Sequence, residues 1–424
     1  MGLQQASAVS TRRPFHGSLI EQVLAERAVF PVFQPIVDLV TQDVVGVEAL
    51  ARGPAGSALE FPDALFAAAI EAGLLTELDQ LCCSRALEIA RDAGPVVPPL
   101  VFVNAEPAGL SRPMSPELKA VIYGGLAFRI VLEFTERALT SRPAALLRVA
   151  DAVHAAGNAV ALDDVGADPA SLAFLPLIEP EVVKLDMHLI RHPYAAGTHA
   201  TAAAVCGYAD RSGAVVLAEG VETPEDAVNA LALGARWGQG WLFGRPGPLQ
   251  ALLGRHRVAH TGFDRPASRT VSASDDTPFM IASRRHRVRT ASRRMADALL
   301  GQVVATALDR GRGGVVACCV NGPGPPPAWL ADLTGDGNGF TCLWLFSGTP
   351  LPATRGAHLQ ILDDRDPLRE ETTIAVLTEE HSAALCLKAA PQNGGGEDVE
   401  LVHAQDRETV QAIVRTMMRR LPSW

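Results

Sequence analysis

Short apolar runs, most of them four residues long, punctuate the first 245 positions, and amphipathic stretches fill most of the spaces between them. Runs of this length bounded by turn residues predict buried strands, and the intervening 3.6-residue periodicity predicts helices. Strands are expected at Val29–Phe33, Val44–Val47, Leu100–Val103, Arg129–Phe134, Ala159–Leu162, Val182–Leu185, Val215–Ala218 and Gly238–Phe243. Leu75–Ala90 and Ala144–Ala156 carry their apolar residues near helical spacing. The gap between the first two strands is too short for a helix, so a hairpin is expected there and the first strand should run against its neighbour. Eight strands in this arrangement predict an α/β fold of the modified (β/α)8 TIM-like type.

Between Arg255 and Ala273 the pattern dissolves into Ser, Thr, Gly and Pro, the composition of a linker. The expected division is an irregular tail over 1–20, a barrel over 21–258, a linker over 259–273 and a smaller α/β or α+β domain over 274–424. In that last part strands are expected at Gly314–Val320, Thr341–Phe346, Thr373–Leu377 and Ala383–Lys388, with a basic amphipathic stretch at Arg284–Leu308 and a final helix near Glu408–Leu421. The run Arg284, Arg285, Arg287, Arg289, Arg293 and Arg294 could meet a nucleotide or an acidic partner, but reads better as a solvated helix face or a contact with the acidic barrel. Gly335–Gly339 lacks the closing acid of a calcium loop and reads as a turn.

The 424 residues suffice for a barrel of roughly 250 residues and a second domain. A formal net charge of −10 argues against broad binding to nucleic acid backbones, and an acidic chain handling an anionic substrate would want cations in between. Seven cysteines include no Cys-x-x-Cys pair, so reduced, mostly buried thiols are expected. No segment approaches the roughly 20 apolar residues of a membrane span, nor does the start resemble a signal peptide, and the cytoplasm is the expected location.

The chemistry lies where the apolar runs end. Glu48, Asn104, Glu133, Asp163 with Asp164, Asp186 and Glu219 each close or directly follow a predicted strand. One acid at a strand end is ordinarily a solvated surface residue. A barrel core gives no structural reason to aim so many at one mouth, whereas a two-metal site needs several oxygen ligands converging on cations roughly 3.5–4 Å apart. The pattern points to metal-assisted hydrolysis.

The motifs Phe33-Gln34-Pro35, Glu48-Ala49-Leu50-Ala51-Arg52, Val103-Asn104, Glu133-Phe134-Thr135-Glu136, Asp163-Asp164-Val165-Gly166, Lys184-Leu185-Asp186, Ala218-Glu219-Gly220-Val221-Glu222 and Gln239-Gly240-Trp241-Leu242-Phe243-Gly244 occur in this order over about residues 20–255. Together they resemble the EAL domain family of cyclic di-GMP phosphodiesterases. The resemblance implies hydrolysis of one phosphodiester bond of cyclic di-GMP to linear pGpG with two Mg2+ or Mn2+ ions, in a protein that works as a homodimer. It also implies that Glu48, Asn104, Glu133 and Asp163 hold one ion, that Asp163, Asp164 and Asp186 serve the other, and that Glu219 is the base. Lys184 and Gln239 would orient the water or stabilise phosphate charge. Gln34, Arg52 and Asp79 would contact the nucleotide, and Glu136 and Glu222 would hold loops and ligands in place. The loop after the double Asp departs from the family pattern: Val165 replaces an aromatic residue, and Asp168 and Pro169 follow where a glycine is usual. That departure keeps open an alternative class, a receptor that binds cyclic di-GMP without hydrolysing it and signals through a protein partner. Thr341–Phe346, Trp329 and the strand-to-helix passage Val399–Val410 make the last 150 residues similar to the DICT sensory domain family. That similarity implies a second domain that senses an unknown signal and biases the barrel.

Overall fold

The computed structural model describes residues 18–421, apart from 107–108, 110–111, 136–141, 167–168, 196, 254–275, 312, 322–325, 336–338, 352–355, 379–380 and 391–397. The expected linker, the expected turn around Asp336 and Glu136 therefore fall wholly or partly outside the described residues.

Eight strands close into a barrel in sequence order: β1 (Val32–Asp38), β2 (Val44–Leu50), β3 (Leu100–Asn104), β4 (Arg129–Thr135), β5 (Ala159–Val165), β6 (Val182–Leu185), β7 (Val215–Ala218) and β8 (Trp237–Gln239). β1 is antiparallel to both β2 and β8 and all other pairs are parallel, as the short first connection requires. β2 and β5 each run three residues past their expected ends, and two further boundaries bear on the site. β1 begins three residues late, because Val32–Asp38 is the stretch that pairs with β2, and so Gln34 stands on the strand opposite Glu48. β8 stops at Gln239, because the next residue packs flush on Val221: a Cβ on Gly240 would lie 2.1 Å from the Val221 carbonyl oxygen.

Period-two alternation explains how the barrel is filled. Ile36, Phe102, Val131, Ala161, Val182, Leu217 and Trp237 belong to one buried interior cluster. Two residues further toward the mouth on the same strands, and so on the same inward face, stand Gln34, Asn104, Glu133, Asp163, Lys184, Glu219 and Gln239. An apolar plug therefore carries a polar layer on top.

The second sheet has seven strands in the order β12-β11-β10-β13-β14-β15-β9, drawn from β9 (Arg289–Ser292), β10 (Val315–Cys319), β11 (Cys342–Ser347), β12 (His358–Ile361), β13 (Glu371–Leu377), β14 (Ser382–Ala389) and β15 (Asp398–Ala404). β10, β11 and β12 are parallel and the remaining pairs antiparallel. Both faces are covered. Val316, Cys318 and Val320 pack in one apolar cluster with a long helix, Arg293–Arg310, while Val315, Ala317 and Cys319 belong to another that also holds Ile413 and Met417 of the C-terminal helix Arg407–Met418. The basic stretch is thus not one helix: Arg289 lies on β9 and the helix starts at Arg293 behind the N-cap Ser292. Among the described residues, Arg284 pairs with Asp276, Arg285 with Glu408 and Arg293 with Asp297. The described cysteines are all free, as expected for reduced thiols. Among the described residues no helix is long and apolar enough to cross a membrane.

Candidate metal centre and active site

Lys184 is the hub of the polar layer. Its side chain is fully buried, and its Nζ lies 2.8 Å from Glu219 Oε1, 2.9 Å from Glu133 Oε1, 3.0 Å from Asp163 Oδ1 and 3.8 Å from Glu48 Oε2. Four carboxylates around one ammonium leave an excess of three negative charges when all are ionised. Beyond its ion pair with Lys184, neither oxygen of the buried Glu133 accepts a hydrogen bond among the described residues, and Gln239 Oε1 is also without a partner. Burying such charge without compensation is costly.

The electrostatics reflect this. Burial holds the Glu133 carboxyl well above its usual range, with Glu48 and Asp163 adding to the effect and Lys184 opposing it. Burial alone would discharge Lys184, but Asp163, Glu133, Glu219 and Glu48 outweigh it and keep the amine charged. Glu219, at the rim with 21% of its side chain exposed, is pushed up to about 8 by burial, with Asp163 and Glu48 adding and Lys184 opposing.

A chain of amides fixes Glu48. Asn104 Nδ2 donates to its Oε1 at 3.0 Å, and Gln239 Nε2 donates to its Oε2 at 2.6 Å and to Gln34 Oε1 at 3.2 Å. Gln34 Nε2 in turn donates to the Gly244 carbonyl at 3.1 Å, tying β1 to the loop after β8. Asp163, Asp164 and Glu219 each bring one carboxylate oxygen within 4.8 Å of the others. The β5–β6 register shifts between Leu162 and Val165, so Asp163 and Asp164 occupy an irregularity in the ladder, and Asp164 has φ of +59°. A bulge of this kind re-aims side chains, here placing two consecutive acids at the mouth. The donor set is all oxygen, strongly acidic and incompletely satisfied, which fits hard divalent cations.

Not every predicted residue joins this cluster. Asp186 Oδ1 accepts from the His188 backbone N–H at 2.6 Å, capping the turn Met187–Arg191. Glu222 pairs with Arg191 at 2.8 Å, and Arg52 donates to the Ala51 carbonyl. Asp79 sits buried on the helix Leu75–Asp92 and accepts the Glu106 backbone N–H at 3.0 Å. Burial raises it to about 7 against that hydrogen bond, with Glu106 adding. Its carboxylate therefore anchors the loop that follows Asn104. Nothing in the sequence distinguished that task from ligand contact except its position on a helix, away from every strand end.

An acidic layer of oxygen donors caps a barrel whose first strand runs antiparallel to its neighbours. The chain belongs to the EAL domain family, whose model matches residues 19–246. It is 31% identical over 236 residues to the uncharacterized protein Rv1357c of Mycobacterium tuberculosis, covering 52% of this chain and 76% of that protein. It is 30% identical to the probable cyclic di-GMP phosphodiesterase PdeN of Escherichia coli, covering 56% of this chain and 47% of that protein. Among solved structures, the manganese and cyclic di-GMP complex of Klebsiella pneumoniae BlrP1 is 29% identical, with a TM-score of 0.46 over 52% of this chain and 56% of that one. The chain thus spans about three quarters of the mycobacterial relative and less than half of PdeN.

Proposed function

We propose that this protein is a metal-dependent phosphodiesterase that hydrolyses cyclic di-GMP to pGpG, with the second domain as its regulatory half. The observation that carries the reading is the cluster of Glu48, Glu133, Asp163 and Glu219 around one buried ammonium, an excess of negative charge that two cations would balance. The names of the curated relatives supply the nucleotide.

Glu48, Asn104, Glu133 and Asp163 would hold one Mg2+ or Mn2+ ion, and Asp163, Asp164 and Asp186 the other. Bound cations would lower the pKa of a coordinated water and offset charge on the phosphate. To serve as a ligand, Asp186 would give up the backbone hydrogen bond by which it caps Met187–Arg191. Glu219 is placed to take the proton of the attacking water, because it lies at the rim beside Asp163 and Asp164. Lys184 holds the carboxylates in register and offsets negative charge building on the phosphate. Gln239 fixes Glu48 with one atom of its amide while its other, unpartnered atom is available to the nucleophile or the phosphate. Arg52 is offered for the anionic ligand by a guanidinium whose observed bond is to its own neighbour's carbonyl. Water adds to one phosphorus, one P–O bond breaks, and the product carries a free hydroxyl and a terminal phosphate.

The test is chromatography of the products after full-length protein meets cyclic di-GMP with Mg2+ or Mn2+, with and without a chelator. pGpG that vanishes on chelation supports the enzyme. Bound nucleotide without product under any of these conditions supports the receptor.

A further inference from the structure

β9 (Arg289–Ser292) is the last strand of the second sheet, and among the described residues it pairs on one side only, with β15. Three of its four residues are exposed, Arg289 and Thr290 among them. A strand so placed presents unpaired backbone N–H and C=O groups to whatever lies alongside. Arginines surround this edge. Arg287 precedes the strand, and the helix Arg293–Arg310 opens directly behind it with Arg293 and Arg294. Arg289 stands opposite Leu401 and Ala291 opposite Val399, and Ala291, Val399 and Leu401 share an apolar cluster with that helix. By period two Arg289 takes the same face as Ala291, so it points to the side of the sheet that carries the helix.

The positive charge here is only partly answered. Arg284, Arg285 and Arg293 have carboxylate partners, whereas Arg287, Arg289 and Arg294 are exposed and, among the described residues, have neither an ion pair nor a hydrogen bond from the side chain. Two nearby acids are already engaged, Asp297 by Arg293 and Asp406 by His286 at 2.6 Å. His403, two residues past Leu401 on β15, is held below its usual range first by burial and then by Arg289 and His286. Arg294 lies in the first turn of its helix, where the dipole disfavours a cation and no acid in that turn offsets it. Charge on an edge strand commonly serves to keep other edges away. That accounts for Arg289. It leaves unexplained Arg294 on the helix, and also Val288 and Met295, which stay 37% and 55% exposed in the same stretch.

We propose that the free edge of β9 is a docking surface for an acidic segment of a partner protein, which lies alongside it in extended conformation as an eighth strand and sets its carboxylates against Arg287, Arg289 and Arg294. In this mode of recognition backbone pairing supplies affinity and alternate side chains supply specificity. Every second residue of the segment faces the arginine side of the sheet, so acids recurring at period two match the surface. A guanidinium receives each carboxylate through a fork of two N–H groups, and Val288 and Met295 offer apolar contact beside them. Nucleic acid suits the surface less well, because the chain as a whole carries a formal charge of −10 and repels a polyanion. The proposal concerns the second domain alone and stands whether or not the barrel hydrolyses its nucleotide.

The test is fluorescence anisotropy of short labelled peptides titrated with full-length protein, with circular dichroism confirming the fold of each variant. A peptide of alternating Glu and Val should bind, and more weakly as salt is added. A peptide of alternating Glu and Pro has the same charge but no N–H at every second residue, and should bind at least about tenfold more weakly. Replacing Arg287, Arg289 and Arg294 together by Glu should weaken the Glu-Val peptide by about tenfold or more, while Lys at the same three positions keeps most of the affinity. Arg365→Glu, beyond β12 at the other edge of the sheet, should leave binding unchanged. Failure of the Glu-Val peptide to bind, equal binding by the folded Glu variant, or equal binding of the Glu-Pro peptide would each overturn the proposal. So would tighter binding of duplex DNA or of phosphatidylserine vesicles that the Glu variant abolishes, since a different partner would then own the surface.

Discussion

Replacing Lys184 by Met keeps the length of the side chain and removes its charge from the centre of the acidic layer. Lys184 and Glu133 are almost fully buried, so little water is available to replace the ammonium. Removing one partner of such a group leaves uncompensated buried charge and costs about 3–5 kcal/mol. The carboxyls have an escape, which is to take up protons, and this gives the loss a pH dependence. Glu133 and Glu219 already lie above their usual values, and without Lys184, which opposes that rise, they go higher. Groups raised in the folded state make it bind more protons than the unfolded chain, so their effect on stability is favourable below the unfolded value and is lost as pH rises through the folded one. The Lys184→Met deficit should therefore be small near pH 5 and larger near pH 8, and should go on growing as pH rises through the raised folded values of Glu133 and Glu219. Urea unfolding in chelator at the two pH values measures it, and saturating Mn2+ should narrow the gap by supplying the missing positive charge. A variant as stable as wild type at pH 8 in chelator would refute this account of the cluster.

Three further outcomes follow from the geometry. Glu219→Gln should lower the hydrolysis rate by about 10²–10⁴ while retaining nucleotide binding, since it removes the proton acceptor and leaves the volume unchanged; product formation and equilibrium binding separate the two effects. As the proposed base Glu219 would act in its ionised form, and since it is held up to about 8 without cations, the rate should rise with pH along a limb whose midpoint lies at or below that value once cations are bound. A rate that falls between pH 6 and 8 would contradict the assignment of the base. Gly240→Ala should destabilise the fold by about 1–3 kcal/mol, because the new methyl group meets the Val221 backbone, and should lower activity by displacing Gln239; thermal unfolding and a rate assay report the two separately.

Much of the barrel was legible because its signals are local. Apolar runs ending in Glu48, Glu133 or Glu219 announce strands whose last inward position is polar, and period two then settles which face that residue takes. The antiparallel first strand followed from a connection too short for a helix. The limits of β1 were not legible, since Val29–Phe33 is as apolar as Val32–Asp38 and only pairing with β2 decides between them. The bulge at Asp163 and Asp164 likewise depends on β6, which the local sequence does not contain. Asp79 and Asp186 show a different limit: a carboxylate that accepts a backbone N–H is written with the same letter as one that holds an ion. Least legible was the contact between the halves. Arg415 and Arg419, two arginines spaced along a strongly amphipathic helix, pair with Asp151 of the barrel, and nothing local marks them out from the denser run at Arg284–Arg294.

The most direct test of the central claim is to count Mn2+ ions bound per chain in the presence of cyclic di-GMP while following pGpG by chromatography in the same sample. The account predicts two ions per chain and pGpG formed in proportion to their occupancy. Cyclic di-GMP held intact by protein that carries two ions, or hydrolysis that persists when no ion is bound, would contradict it.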